Sequence, residues 1–439
     1  MNPSLKPFVW LYFLLLVLEG ALRKWILPGL AEPLLIVRDP VVLMIYALAF
    51  SSGVFPLRPA VLTLVAFAAV SLGFALIVGT PPVVAFYGLR INYLHVPLIF
   101  VMAQTLTYAD VLRIGRVALW LTLGITALML LQYSAGPNSP LNKGVGSSEG
   151  GQLGGALGKV RPPGPFSFIT GPMAWFPLAT AFVMYGWINR GVYSRRLLVA
   201  ATAAIVIAVP ISISRGLLFS VLIVVVLGLL SVARDVRRLG AICLPLVLVL
   251  VLLQFAANQE LTAAFSSRWQ DSTVAGGGIG QTIVNRFFGD FVTAFDVLSD
   301  APAFGHGIGL GSNVGARFTT GEITFLLAEG EWPKILLELG PMLGLAFILY
   351  RCWLALHVVW SAWLGLLRTG DGLSCMLAGA CALPVLNGQW APPTILGFAV
   401  FGAGLALAAA PDPDVEEDFN EAYEDLDDNT PVQEESSVR

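Results

Sequence analysis

The chain has 439 residues, of which 56% are hydrophobic and only 12% charged, and its formal net charge is −3. Its mean hydropathy is +0.79. This composition excludes a water-soluble globular protein, because so few polar side chains cannot cover so large an apolar surface. Lipid is therefore the expected solvent, and the chain is predicted to be a polytopic integral membrane protein.

About twelve apolar runs are long enough to be membrane-spanning helices, since a helix needs about 20 apolar residues to cross a hydrocarbon core about 30 Å thick. The predicted spans are 7–22, 40–55, 60–78, 90–106, 112–132, 166–188, 197–213, 216–233, 239–256, 334–352, 373–388 and 393–410. Runs such as residues 217–230 lack the alternation of a membrane β-barrel, so the predicted fold class is all-α.

Two boundaries follow from local chemistry. Asp39 followed by Pro40 is a favourable helix start, which places Arg38 at the lipid headgroups. The apolar run 197–230 is too long for one span and is interrupted midway by proline, serine and glycine. It is predicted to form a helical hairpin with Arg215 at its tip.

The basic residues beside the short connectors fall on one side if the helices alternate in direction. They are Lys6, Arg58, Arg113, Arg116, Arg190, Arg195, Arg196, Arg234, Arg237, Arg238, Arg351 and Arg368. Positive charge concentrates on the cytoplasmic side, so both termini are predicted to be cytoplasmic and loops 133–165 and 257–333 to face outward. This topology requires residues 334–367 to be one long helix, which the absence of glycine and proline between Gly344 and Gly365 supports.

Four regions result from this topology. Residues 1–256 contain nine helices, residues 257–333 form a large periplasmic loop, and residues 334–410 contain three more helices. Residues 411–439 are strongly acidic and are predicted to be a disordered cytoplasmic tail. The four cysteines lie in or beside apolar runs and indicate neither a disulfide framework nor a metal site.

The outward side carries two arginines of interest. Arg161 begins a stiff proline-rich segment at the membrane surface, where it could bind a phosphate or act as an interfacial anchor. Arg215 is predicted to lie on the outer side of the membrane, where positive charge is rare, and its position there is energetically unfavourable unless it has an anionic partner. That partner could be a substrate or a structural acid.

The large loop contains a glycine-rich segment, residues 305–313, and the acids Glu322, Glu329 and Glu331. The glycine pattern resembles a nucleotide-phosphate loop only weakly, because no strand precedes it. A carboxylate just before a helix could accept a proton from an acceptor hydroxyl. Alternatively, these acids form ion pairs with Arg286, Arg317 or Lys334.

Charged and titratable residues are sparse within the predicted spans. His95 is interpreted as a hydrogen-bonded core residue rather than a proton relay. Glu19 lies near the end of the first span, with Arg23 four residues later as an expected ion-pair partner.

Several short motifs, in this order, resemble those of the O-antigen ligase and polymerase superfamily. They are Arg-Pro-x-Gly-x-Phe from Arg161, Ser214-Arg215-Gly216, Pro-x-Phe-Gly-His-Gly-Ile-Gly at 302–309, and Leu-Glu-Leu-Gly-Pro-Met-Leu-Gly at 337–344. The resemblance covers most of residues 85–405 and implies a GT-C-like glycosyltransferase of the bacterial inner membrane. Such an enzyme moves glycan from undecaprenyl pyrophosphate to an acceptor hydroxyl at the periplasmic face without a metal.

The resemblance also implies roles for individual residues. Arg161, Arg215 and Arg286 match arginines that bind the pyrophosphate in the family. Ligases of the family carry a histidine before the tenth helix, but this chain has Glu329 there, which favours a polymerase or an uncharacterised branch of the family. The catalytic base is therefore assigned to Glu329 or Glu331, with His306 as a third candidate.

The expected partners are a lipid-linked oligosaccharide substrate, membrane lipid and polysaccharide-assembly proteins, while no cofactor, metal or nucleic acid is predicted. The alternative function is a non-enzymatic transporter or scaffold for lipid-linked oligosaccharide. A transporter should distribute charges along a path through the bilayer, whereas this chain gathers them at the outer face.

Overall fold

The computed structural model describes residues 5–145, 158–232, 240, 279–321 and 326–410. Throughout these ranges the regular elements are helices, which confirms the all-α prediction. The predicted ninth span, 239–256, lies outside the described residues apart from Gly240, and the acidic tail, 411–439, lies outside them entirely. Glu322 lies outside them as well.

Fifteen α-helices are labelled here in chain order. They are α1 Lys6–Ala21, α2 Asp39–Ser51, α3 Pro59–Val78, α4 Pro82–Leu89, α5 Leu98–Thr105, α6 Tyr108–Ser134, α7 Thr170–Ile188, α8 Arg195–Ile211, α9 Arg215–Ser231, α10 Ile279–Leu298, α11 Asn313–Thr320, α12 Glu331–Leu339, α13 Pro341–Thr369, α14 Leu373–Asn387 and α15 Pro393–Ala408. Two π-helical turns, Leu22–Ile26 and Arg90–Leu94, follow α1 and α4 directly.

Five helical stretches are long and apolar enough to cross a membrane. They are Pro33–Ser51, Pro59–Val78, Pro82–Thr105, Tyr108–Ser134 and Pro341–Thr369. Three shorter apolar helices, α9, α14 and α15, accompany them. These helices support a helical membrane protein, while the count of about twelve spans stays a prediction.

The helices connect at two ends of the molecule, which we call the Lys6 end and the Lys24 end because these lysines flank α1. At the Lys6 end, Lys6 pairs with Asp110 of α6 at 2.6 Å. At the Lys24 end, the Nζ of Lys24 donates to the carbonyl of Gly164 at 2.7 Å. With a rise of about 1.5 Å per residue, the 16 residues of α1 hold the two ends roughly 24 Å apart.

Two predicted boundaries are confirmed. Helix α2 begins at Asp39, with Pro40 in its first turn. The long apolar run is divided into α8 and α9, and Ile213 in the connector has a left-handed backbone with φ of 48°. The Ser214 hydroxyl accepts from the backbone N–H of Leu217 and thereby caps α9, so that Arg215 is the first residue of that helix.

The predicted span 334–352 is wrong at its beginning. Helix α13 is unbroken from Pro341 to Thr369, as expected, but Gly340 separates it from α12 with φ of 79° and ψ of 167°. A Cβ at Gly340 would collide with the carbonyl of Ala303, so the helix breaks where the glycine-rich segment of the large loop packs against it.

Small residues on α15 permit close packing at the centre of the molecule. Gly402 lies against Cys381 of α14, and Gly404 lies against Met102 of α5. A Cβ at Gly397 would collide with the guanidinium of Arg38, so this glycine leaves room for a buried charge. Close packing through glycine is typical of helices in lipid.

Candidate functional site

A buried polar cluster lies at the Lys24 end. Its members, which we call the N-terminal cluster, are the buried Tyr12, Glu19, Arg23, Lys24, Arg38, Arg90 and His95 and the half-buried Asp39. They come from α1, from the beginning of α2 and the residue before it, and from the two π-helical turns and the residue after the second one. Such turns are frequent at functional sites because the wider turn redirects side chains out of the helical register.

Glu19 holds one half of this cluster together. Its Oε2 lies 3.1 Å from Nε of Arg38, and its Oε1 lies 3.4 Å from Nη1 of Arg23. The expected Glu19 to Arg23 pair is thus confirmed. Arg38 is only 1% exposed and also donates to the Tyr12 hydroxyl and the Pro393 carbonyl, so its predicted position at the headgroups is wrong. The reason is that Glu19 and these oxygens replace water around the guanidinium.

Asp39 organises the other half. Its Oδ2 accepts from Nε of Arg90, and its Oδ1 lies 3.1 Å from Nη2 of Arg90 and 3.0 Å from Nε2 of His95. The Nδ1 of His95 lies 3.3 Å from the Tyr12 hydroxyl. This confirms that His95 is a hydrogen-bonded core residue.

The N-terminal cluster contains more positive than negative charge. It has four bases, Arg23, Lys24, Arg38 and Arg90, against the two acids Glu19 and Asp39. Burial lowers the pKa of Lys24 to about 7, so the excess at neutral pH lies between one and two positive charges. Within the described part of the chain, the buried Nη1 of Arg90 makes no hydrogen bond. Buried positive charge in excess is costly, and an anion would stabilise it.

The proline-rich segment that begins at Arg161 packs onto this cluster. Lys24 donates to the Gly164 carbonyl at 2.7 Å, and Arg23 donates to the Ser167 hydroxyl at 3.1 Å. A Cβ at Gly20 would collide with the backbone of Ser167, which shows how closely the segment lies on α1. The structure therefore brings the half-buried Arg161 to the same end of the molecule as the N-terminal cluster.

The structure describes the surroundings of the other two predicted phosphate ligands only in part. Arg215 is half-buried in the first turn of α9, where the α8 to α9 connector reaches the Lys24 end. Arg286 lies on α10, but its side chain is outside the part of the structure that is described.

A second group of charges surrounds Glu331, the first residue of α12. Glu331 is 1% exposed, with Oε2 2.7 Å from Nζ of Lys334 and Oε1 2.8 Å from Nη1 of Arg351. Burial raises the pKa of Glu331, but the charges of Lys334 and Arg351 outweigh it and hold the pKa below its ordinary value. A carboxylate in these ion pairs is a poor proton acceptor at neutral pH.

Arg351 does not lie beside a short connector, where the topology prediction placed it, but inside α13. It is fully buried and donates to the carbonyls of Val385 at 3.0 Å and Gly388 at 2.8 Å. Its guanidinium also lies 3.7 Å from the ring centroid of Trp390. The placement is wrong because Glu331, the carbonyls and the indole together replace the water that this cation would otherwise require.

The other candidate bases are exposed. Glu329 projects from the connector before α12, and its carbonyl accepts from Gln389. Nearby, Oδ2 of Asp290 accepts from the backbone N–H of Glu331 at 3.3 Å. Burial raises the pKa of Asp290, as does the neighbouring charge of Glu331. Sequence reasoning did not find Asp290, because 41 residues separate it from Glu331.

His306 belongs to a glycine-rich segment in which the absence of side chains lets the backbone pack closely against neighbouring helices. The backbone N–H of His306 donates to the carbonyl of Leu337 at 2.7 Å, while its side chain is exposed. The backbone N–H of Gly311 donates to Oε1 of Glu338 at 2.8 Å. A Cβ at Gly309 would collide with the carbonyl of Val84. These contacts place the segment between α4 and α12. They also occupy backbone N–H groups that a phosphate-binding loop would donate to its ligand.

Three basic residues of the N-terminal cluster were missed as site residues by sequence reasoning: Lys24, Arg38 and Arg90. The signal that could have found them is a charge within or directly beside an apolar run, which is expensive in lipid and therefore needs a partner. Among the described residues, no group of three or more His, Cys, Asp or Glu is arranged to hold a metal ion.

No family model matches the chain, and no curated protein matches it either.

Proposed function

We propose that the chain is a membrane glycosyltransferase that moves a glycan from undecaprenyl pyrophosphate to an acceptor hydroxyl, as an O-antigen or exopolysaccharide polymerase or ligase does. The Lys24 end would face the periplasm of a bacterial inner membrane. The observation that carries this proposal is the excess positive charge of the N-terminal cluster, together with the hydrogen-bond donor of Arg90 that has no partner in the described structure.

This charge suits the chemistry of the reaction. Pyrophosphate is already a good leaving group, so the protein must mainly stabilise its developing charge and orient the acceptor. Guanidinium groups are well matched to phosphate, because they offer paired donors in a planar fork. Arg161, Arg215 and Arg286 are proposed to bind the pyrophosphate together with Arg90. The exposed Glu329 or His306 is proposed to accept the proton, and the ion-paired Glu331 is the weaker candidate.

The test is an assay of purified protein with a lipid-pyrophosphate oligosaccharide, in which product length is followed by gel or mass spectrometry. We expect lengthened or transferred glycan with the wild type and strong loss with Arg90→Gln. The matched control is Arg190→Gln, because Arg190 is exposed at the Lys6 end.

The rival function, a transporter or scaffold for lipid-linked oligosaccharide, predicts a different result. Purified protein would then bind the lipid donor without changing it, and reconstituted vesicles would move the donor between leaflets. Binding without any glycan transfer, under conditions in which the protein remains folded, would contradict the proposed enzyme.

A further inference from the structure

Lys24 is an unusual lysine because it is buried where the chain leaves α1. Its side chain is 2% exposed, and its Nζ donates to the carbonyl of Gly164, which is 140 residues away in the sequence. The Nζ also lies 4.2 Å from the ring centroid of Trp25. A buried lysine is costly, so the contact with Gly164 needs an explanation.

The segment that Lys24 contacts has few backbone hydrogen bonds of its own, apart from the turn in which the N–H of Phe166 donates to the carbonyl of Pro163 at 3.2 Å. Three of the seven residues 161–167 are prolines, which donate no backbone hydrogen bond. The backbone N–H of Gly164 donates to Oε1 of Gln132 at 2.7 Å, and its carbonyl accepts from Nζ of Lys24 at 2.7 Å and more weakly from Nε2 of Gln132 at 3.3 Å. Side chains from distant parts of the chain therefore fix the turn at Gly164.

The hydrogen bonds act on a segment that already lies against α1. Gly20 allows the backbone of Ser167 to approach closely, and Arg23 donates to the Ser167 hydroxyl. Lys24 thus holds the centre of the segment, while Arg23 holds its end. Arg161 precedes Gly164 by three residues, and two prolines stiffen the chain between them.

We propose that Lys24 is a positioning residue for Arg161: it fastens the segment 161–167 to the end of α1, so that Arg161 is presented to the phosphate groups of the substrate. This inference rests on the proposed function for the identity of the substrate. The hydrogen bond to Gly164 carries the effect, and the charge of Lys24 is not required for it.

Two uncharged variants separate the hydrogen bond from the charge. Lys24→Gln retains a hydrogen-bond donor, whereas Lys24→Met, of the same length as glutamine, retains only an apolar stem. Lys159→Met is the matched control, because Lys159 lies just before the same segment with its Nζ 5.2 Å from the ring centroid of Tyr133. Size-exclusion chromatography and circular dichroism establish that each variant is folded.

The first measurement is hydrogen–deuterium exchange in the peptide that covers residues 158–169. Loss of one hydrogen bond corresponds to about a tenfold change in local opening. We expect exchange in Lys24→Met to be faster by about that factor. Exchange in Lys24→Gln and Lys159→Met should stay close to that of the wild type.

The second measurement is the binding of inorganic pyrophosphate, with the KM for the lipid donor where transfer is observed. Lys24→Met should weaken pyrophosphate binding and raise KM more than it lowers kcat, and Lys24→Gln should restore both. Unchanged exchange in Lys24→Met, or equal impairment in the two variants, would overturn the inference. Absence of transfer by the wild type would refute the proposed enzyme, while exchange and pyrophosphate binding would still decide the role of Lys24.

Discussion

Arg351 and Arg38 hold the two ends of one connector, the linker between α14 and α15. Nη2 of Arg351 donates to the carbonyl of Gly388 at 2.8 Å, and Nη2 of Arg38 donates to the carbonyl of Pro393. Arg351 belongs to the charges around Glu331, and Arg38 belongs to the N-terminal cluster. The two groups of buried charge are therefore connected through a linker of a few residues.

Removing one partner of the buried Glu331 to Arg351 pair should destabilise the protein strongly. We expect Arg351→Met to cost about 3–5 kcal/mol, because the buried Glu331 would lose one of its two cations. The double variant Glu331→Gln with Arg351→Met should cost less than the sum of the single changes. Unfolding in detergent micelles measures these effects, and Arg368→Met, an exposed change on the same helix, is the control. Additive costs would show that the pair is not coupled.

Arg161 and Arg215 should be required for activity and dispensable for folding. We expect Arg161→Ala and Arg215→Ala to abolish glycan transfer, and Arg215→Lys to be poor, since a point charge does not reproduce a bidentate fork on phosphate. Product formation and thermal unfolding are measured in parallel, with Arg190→Ala as the control. Near wild-type turnover in all three variants would refute the pyrophosphate role.

The proton acceptor can be identified by comparing variants of the three candidate bases. Loss of a general base typically lowers the rate by about 10²–10⁴-fold, so we expect Glu329→Gln to fall in that range with donor binding nearly intact. Glu331→Gln must be compared at equal amounts of folded protein, because Glu331 also stabilises the fold. The ascending limb of the rate against pH should disappear in the inactive variant. Full activity in both glutamine variants with failure of His306→Ala would assign the base to His306.

Lys24 should make stability depend on pH. Burial lowers its pKa to about 7 from an ordinary value of 10.5, so between these values the unfolded chain binds a proton that the folded chain does not. This contribution to stability therefore rises with pH across that window, and the cost of burying the charge is fully present below it. We expect the stability of Lys24→Met relative to the wild type to fall as pH rises from about 7 to about 10, as measured by unfolding in detergent. A constant difference would contradict the assignment.

The orientation of the chain can be tested with reporters. A tag after Arg439 and a reporter near Ser231 should both be cytoplasmic, because the basic connectors lie on that side. A reporter inserted near Gly276 should be periplasmic. Accessibility to membrane-impermeant reagents in intact cells measures each position, and a periplasmic C-terminus would show that the helices after the large loop are counted wrongly.

The sequence alone determined the class of fold and several boundaries. Long apolar runs must be helical in lipid, where every backbone group needs an internal partner, and this requirement is local. The start of α2 at Asp39, the division between α8 and α9, and the Glu19 to Arg23 pair follow from residues that are close in sequence. Each was therefore predictable from short-range chemistry.

Only the tertiary structure decided which charges are buried and what they contact. The sequence predicts that Arg38 and Arg351 lie at helix ends, because arginine flanks most membrane helices. In the structure each is enclosed by partners from other helices. Lys24 meets Gly164 across 140 residues, a separation that no local pattern encodes. Burying a charge in lipid is favourable only when distant acids, carbonyls and rings converge on it, so its location depends on the packing of the whole bundle.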